Sequence, residues 1–247
     1  MSSKSLRPGK KGYIRILSVI IILTFSIQLR AQLRDNINLP DHDDKFYHLG
    51  IALIVNTSHF QVTPHPNLLG SDSILSVNPE NTGGFGLAGM HTFNINPHLE
   101  FRIVFPQLMF SYKNLTYSTT FPNGQKTIAT KQIESILLGF PLQVKFLSDR
   151  MKNFRFYVLG GANYQYDLSS NATARKADDL VKLNPYDFSI EAGVGFQFFF
   201  PVFILSPELK ISNGIMNVHH RDPNLIYSNT IDKLKSRMIV FSLIFEG

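Results

Sequence analysis

The sequence predicts an all-β fold, an eight-stranded antiparallel transmembrane β-barrel with long extracellular loops and short periplasmic turns. Three observations predict it. The first is period-two alternation with large apolar groups on one face, clearest over residues 187–200. There Phe188, Ile190, Ala192, Val194, Phe196, Phe198 and Phe200 oppose Asp187, Ser189, Glu191, Gly193, Gly195 and Gln197. The second is a secretory leader. The third is a set of connections that alternate long and short, as in outer-membrane barrels.

The leader comes first. Lys4, Arg7, Lys10, Lys11 and Arg15 form or overlap a basic region, an apolar stretch runs from Ile14 to Ile27, and Leu29-Arg30-Ala31 precedes Gln32. This reads as a signal peptide over 1–31, cleaved before Gln32. The apolar run is shorter than the ~20 residues of a spanning helix, which argues against an uncleaved anchor. Six of the 24 Lys and Arg residues lie in 1–31, leaving 18 against 18 Asp and Glu. The high isoelectric point therefore belongs to the leader, and no nucleic-acid partner is inferred. There is no cysteine, which excludes disulfides, thiolate catalysis, cysteine-held metals and lipoprotein anchoring. No second apolar run has the length of a membrane helix. Spanning therefore requires a closed sheet, because only helices and barrels satisfy their backbone groups in lipid.

Residues 32–45 read as a short solvated periplasmic lead-in, and 46–247 as the barrel. The first strand covers about 46–56, with Leu49, Ile51, Leu53 and Val55 on one face. A long loop rich in Pro, Asn, Gly and Ser follows. The second strand covers about 83–95, with Phe85, Leu87, His91, Phe93 and Ile95 together, and Asn96-Pro97 turns the chain. The third starts at His98 with Leu99, Phe101, Ile103 and Phe105 on one face. Near Pro106 the phase slips, and Leu108, Phe110 and Tyr112 become the apolar set. A bulge at Pro106 accounts for this, since proline cannot donate to the ladder.

Asn123-Gly124 is a hairpin signal. The fourth strand spans about 132–147 and the fifth begins at Phe154, with a short turn between. The sixth is the opening example, the seventh covers about 203–211 and the eighth about 237–245. Long loops are expected at 57–82, 113–131, 168–186 and 213–236. Tyr112, Tyr117, Tyr157, Tyr164 and Tyr166 lie near strand ends, where an aromatic belt forms in membrane barrels. A secreted soluble β-sandwich shares the short alternating strands. The phenylalanine density on one face and the long loops favour the barrel.

Candidate chemistry is sparse. Asp41-His42-Asp43-Asp44 has hard-cation ligands but matches no known loop spacing, and reads as a solvated acidic run. His219-His220-Arg221-Asp222 offers two imidazoles that would point oppositely in a strand, and reads as an exposed patch. The 83–89 stretch, with glycines at 83, 84, 86 and 89, lacks the lysine and following helix of a phosphate loop. Small residues there, at Gly160-Gly161 and at Gly193 and Gly195, suit barrel curvature or close packing of an interior side chain. Glu100, Arg102, Gln143, Lys145, Arg155, Glu191, Glu208 and Lys210 are expected to line the interior with mixed sign, as structural ion pairs rather than a pore. No Gly-x-Ser-x-Gly is present. No catalytic, cofactor-binding or metal-binding residue is assigned and no cofactor is expected.

Two stretches, Leu39-Pro40-Asp41-His42-Asp43-Asp44-Lys45-Phe46-Tyr47-His48-Leu49-Gly50-Ile51 and Asn78-Pro79-Glu80-Asn81-Thr82-Gly83-Gly84-Phe85-Gly86-Leu87-Ala88-Gly89-Met90, resemble the PorT family. These are outer-membrane barrel proteins of the type IX secretion system. The resemblance implies a non-enzymatic barrel in the outer membrane, in contact with outer-membrane lipid and with other secretion components. It would be needed to export proteins carrying a C-terminal secretion domain and, in related bacteria, for gliding motility. Many outer-membrane barrels end on an aromatic residue, whereas here Glu246-Gly247 follows Phe245. The alternatives are a surface barrel acting as an adhesin or ligand-binding module, and a barrel enzyme using His219 and His220.

Overall fold

The computed structural model describes residues 37–68, 74–120, 125–170, 181–222 and 225–247. The leader expected over 1–31 and the Asn123-Gly124 turn lie outside them. Nine strands run β1 (Tyr47–Pro64), β2 (Ile74–Glu80), β3 (Thr82–Asn96), β4 (Leu99–Thr120), β5 (Lys126–Leu147), β6 (Phe154–Asp167), β7 (Tyr186–Phe199), β8 (Ile204–Gly214) and β9 (Ile231–Glu246). Every pairing is antiparallel, in the order β2-β4-β3-β1-β9-β8-β7-β6-β5, and a β4–β5 pairing closes the ring. Eight strands, β1 and β3–β9, make the barrel. The short β2 continues the line of β3 along β4: Gly84 of β3 faces Ser111, and Glu80 of β2 faces Asn114.

The eight strands read from alternation are all present. The slip at Pro106 is a bulge: the β4–β5 register shifts between Ile103 and Gln107, and the β3–β4 register shifts between Ala88 and Met90. Phe105 and Pro106 are consecutive exposed residues, so the outward set passes from odd to even numbers there.

Around the middle of the barrel the usual burial is inverted. On β7, Ile190 is 55% exposed while Glu191 is 3% exposed. Leu53, Leu87, Leu142, Val158, Leu209 and Phe241 also face outward, while Arg102, Lys145, Glu208 and Gln197 face inward. Such a surface is at home against hydrocarbon.

Toward the end with the longer connections the alternation continues with its sign reversed. On β1, Phe60 is buried while Gln61 faces out; on β4, Leu115 and Tyr117 are buried between Asn114, Thr116 and Ser118; on β9, Leu234 is buried between Lys233 and Lys235. Inward apolar and outward polar is the pattern of a sheet in water. The two patterns meet near Val55 on β1, Tyr112 on β4 and Ile239 on β9, which marks one edge of the apolar band.

This corrects the expected loops. Much of 57–82, 113–131 and 213–236 is strand: β1 reaches Pro64, β2 occupies 74–80, β4 and β5 stay paired to Thr120 and Lys126, and β9 starts at Ile231. An apolar core fills the inside of this extension, built from Phe60, Ile74, Leu115, Tyr117, Ile231 and Leu234, with Val181, Leu183 and Val218 from the connections. The aromatic belt is also corrected. Tyr117 and Tyr157 are fully buried, while Tyr112 faces out on β4 and Tyr164 faces out beside Tyr186, with 5.3 Å between the Tyr166 and Tyr186 rings. At the opposite end Phe46, Tyr47, Phe93, Phe154, Phe198 and Phe203 carry most of the ring contacts.

Candidate functional site

Alternation aims every second side chain of each strand into the lumen, and these side chains fill it. Arg102 from β4 is fully buried. It donates from Nη1 to Glu208 of β8 (2.8 Å) and from Nη2 to Glu246 of β9 (3.1 Å). The Tyr157 hydroxyl donates to the same Glu208 at 2.8 Å. Lys145 reaches Glu100 at 2.5 Å and lies 4.4 Å from the Tyr157 ring centre. Glu191 accepts from Lys210 (2.9 Å), Gln143 (2.9 Å) and Asn163 (3.1 Å). Glu246 also accepts from Ser206 at 3.1 Å.

All eight residues expected to line the interior do so. Glu246 and Tyr157 were not among them. Parity was the available signal for Glu246, which shares a face of β9 with Ser242 and Ile244. Tyr157 stands opposite Gly195, and a Cβ at that glycine would sit 2.3 Å from the Tyr157 ring. Gly195 therefore gives the interior ring its space, as the glycine reading expected. The network is mixed in sign and fills the middle of the lumen, so it braces the barrel. Above it, Lys113, Asp167, Asp187 and Gln165 surround a void of about 20 Å³, room for a single water.

The end with the short turns is capped by the lead-in. Pro40–His42 forms one 3₁₀ turn. Asn38 donates from its backbone N–H to Asn153 (2.8 Å) and from its side-chain amide to the Phe199 carbonyl (2.9 Å). Arg150 donates to the carbonyls of Leu39 and Asn38. His42 is buried, with its ring 4.6 Å from that of His48. Asp43 pairs with the lumen residue Arg155 at 2.8 Å and with Arg150 at 3.6 Å. Burial pushes the Asp43 carboxyl up, but the neighbouring His42 imidazole, 3.9 Å away, and the Arg155 and Arg150 charges outweigh it and hold the carboxyl at about 2. The acidic run is thus divided: Asp41 and Asp44 are exposed as expected, whereas His42 and Asp43 are docking residues. Only tertiary contact could reveal this.

At the other end the connections knit into a lid. The Asn184 N–H donates to the Val218 carbonyl (2.8 Å), the His220 N–H to Lys182 (2.9 Å), and the Val218 N–H to Leu234 of β9 (2.9 Å). His219 and His220 do point oppositely. His220 is exposed and lies 3.2 Å from the Asn184 amide oxygen. His219 is buried, 3.0 Å from the Ser228 hydroxyl, which accepts from the Asp222 N–H at 3.1 Å. Asp222 pairs with Lys182 at 2.8 Å. The expected exposed patch is therefore half structural. Burial pushes the His219 imidazole down to about 4, so it is neutral at neutral pH. Ser228 is fully buried and the Asp222 carboxylate is turned to Lys182, so His219 and Ser228 offer no reachable nucleophile. Among the described residues no group of three or more His, Cys, Asp or Glu is placed to hold a metal ion. A cleft of about 280 Å³ lies beside β5, lined by Thr130, Gln132, Glu134, Ser169 and Ser170.

A closed eight-stranded ring with an apolar exterior and an ionic interior defines a membrane β-barrel. The chain belongs to the outer membrane protein beta-barrel domain family, whose match spans residues 31–220. Among solved structures it is similar to the outer membrane protein OprG from Pseudomonas aeruginosa, at 12% identity over 80% of this chain and 94% of that one, with a TM-score of 0.42. It is also similar to Neisserial surface protein A, at 12% identity over 79% and 95%, with a TM-score of 0.37. A third likeness is to Ail, the attachment invasion locus protein of Yersinia pestis, at 9% identity over 82% and 100%, with a TM-score of 0.39. No curated protein matches. The protein is an outer-membrane barrel.

Proposed function

We propose that this barrel is a non-enzymatic component of type IX secretion, needed for export of proteins carrying a C-terminal secretion domain. It would be delivered by cleavage of the leader at 1–31. Its short turns and lead-in would face the periplasm, and its β2, β4–β5 extension and lid the exterior. The observation that carries the reading is the filled lumen closed at both ends. A barrel that conducts nothing acts through its ends or its wall, and both stretches that resemble the PorT family build such places. Residues 39–51 form the docked lead-in and the start of β1, and residues 78–90 form the junction of β2 with β3. Other secretion components would then be its partners, with gliding motility a downstream effect.

The test is a clean deletion strain with fractionation of the tagged protein. Cargo retained in the periplasm is the expected result. Normal export with the protein still in the outer membrane would overturn the secretion role. It would favour a surface-binding barrel instead, for which the cleft beside β5 is the supporting observation.

A further inference from the structure

The outward face of β9 carries three cations in a row where the apolar band ends. Lys233, Lys235 and Arg237 alternate with the inward Leu234 and Ser236, and the next outward residues are Ile239 and Phe241. Alternate residues of a strand are about 6.7 Å apart, so Arg237, Lys235 and Lys233 lie roughly 7, 13 and 20 Å along the strand from Ile239. A headgroup layer is about 5–8 Å deep, so a strand tilted by about 45° crosses it in about 7–11 Å, which takes in Arg237 and brings Lys235 to its outer edge. The flanking strands add polar donors at the same height. His59 and Gln61 of β1 face Arg237 and Lys235, and Asn213 of β8 faces Arg237.

Carboxylates are scarce here. Arg237 donates to Asn213 (2.7 Å) and is flanked by the Gln61 side-chain amide at 3.2 Å, both neutral partners. Among the described residues neither Arg237 nor Lys235 has a carboxylate at ion-pair distance. Lys233 has Asp232 at 4.0 Å, with both side chains about half exposed. Four cations of the lumen, by contrast, are each paired with an acid: Arg102, Lys145, Lys210 and Arg155. The β9 row is therefore a charge left over for something outside the protein, just beyond the edge of the wall that faces lipid.

We infer that this row, with His59 and Gln61, is a docking site for the phosphate groups of a phosphorylated glycolipid headgroup in the outer leaflet. The inference rests on the sidedness argued above, in which the β9 row lies on the external side. The recognising chemistry is multidentate: a guanidinium held by Asn213 and two ammonium groups along one strand fit an acyl-anchored headgroup with more than one phosphate. Its acyl chains would lie against Ile239, Phe241 and Val55 below. The lipid would then grip one side of the barrel, which orients the protein in the leaflet.

The probe is bisphosphorylated lipid A, titrated against the full mature chain folded in detergent and read by native mass spectrometry. The unmodified protein should retain it in preference to fully dephosphorylated lipid A. Lys235→Gln with Arg237→Gln should weaken that retention by about thirtyfold, at roughly fivefold per charge. Lys235→Arg with Arg237→Lys should restore most of it. Lys126→Gln on β5 should leave it unchanged, and heat-modifiable migration verifies that each variant is folded. Equal retention of the two lipids, or undiminished retention by the double glutamine variant, would overturn the site. Displacement by millimolar inorganic phosphate alone would also count against a headgroup site.

Sidedness is tested separately. The chain has no cysteine, so Ile128→Cys on exposed β5 can be labelled with an impermeant maleimide on intact cells. Labelling supports the external placement. Failure to label would overturn that placement whatever the lipid titration shows.

Discussion

Arg102 shows what a single residue does in this lumen. Its guanidinium satisfies two buried carboxylates on two different strands, so removing it strands both. Breaking a buried pair by deleting one partner costs about 3–5 kcal/mol, because an uncompensated charge remains. Arg102→Met should therefore lower the unfolding free energy of the barrel in lipid vesicles, measured by urea titration, by that order. Adding Glu208→Gln and Glu246→Gln should recover much of the loss, since a neutral trio has no such debt. An additive loss across the three changes would mean that the network is not a unit. Arg102 and its seven companions were readable because parity on an amphipathic strand fixes which side chains point inward. The docking of His42 and Asp43 was not readable, because Arg150, Arg155 and Phe199 lie more than a hundred residues away in sequence.

At the scale of elements, the reversal of sign along β1, β4 and β9 explains why the extensions were missed. A search for apolar outward faces follows a strand only as far as the band. Beyond it the period of two persists, with Leu115 and Tyr117 inward and Asn114 and Thr116 outward, and this reads locally as polar loop. Pro64 and Pro79 reinforced the impression, yet both lie at strand ends. The bulge at Pro106 was legible for the opposite reason, since it sits within the band and changes parity abruptly.

The lid is an element with its own pH dependence. His219 sits at about 4 when folded because burial disfavours the imidazolium. An exposed imidazole titrates near 6.5, so the opened lid binds more protons between these values. Stability of the lid is full above about 6.5 and is lost as pH falls toward 4. Amide exchange at 217–220, corrected for its intrinsic pH dependence, should accelerate over that window. His219→Gln should flatten the response, and an unchanged slope in that variant would show that another group controls the lid.

For the whole molecule, the wall and the lumen make opposite demands on the same strands. Outside, lipid requires Leu, Val and Phe; inside, eight strands leave a space narrow enough for side chains to fill. The ionic network occupies the middle of that space, the lead-in covers one end, and the apolar core under the lid covers the other. These are independent barriers to passage. The native chain in a planar bilayer should therefore show no steady open-pore current. Asp43→Ala, which releases the ionic latch of the lead-in, should leave the current at baseline while exposing residues 38–43 to protease. Protection lost without conductance gained would demonstrate that the barrel stays sealed without the lead-in. A stable current from the unmodified protein would mean that Arg102, Lys145 and their acids can swing aside, and a channel role would then displace one based on the two ends.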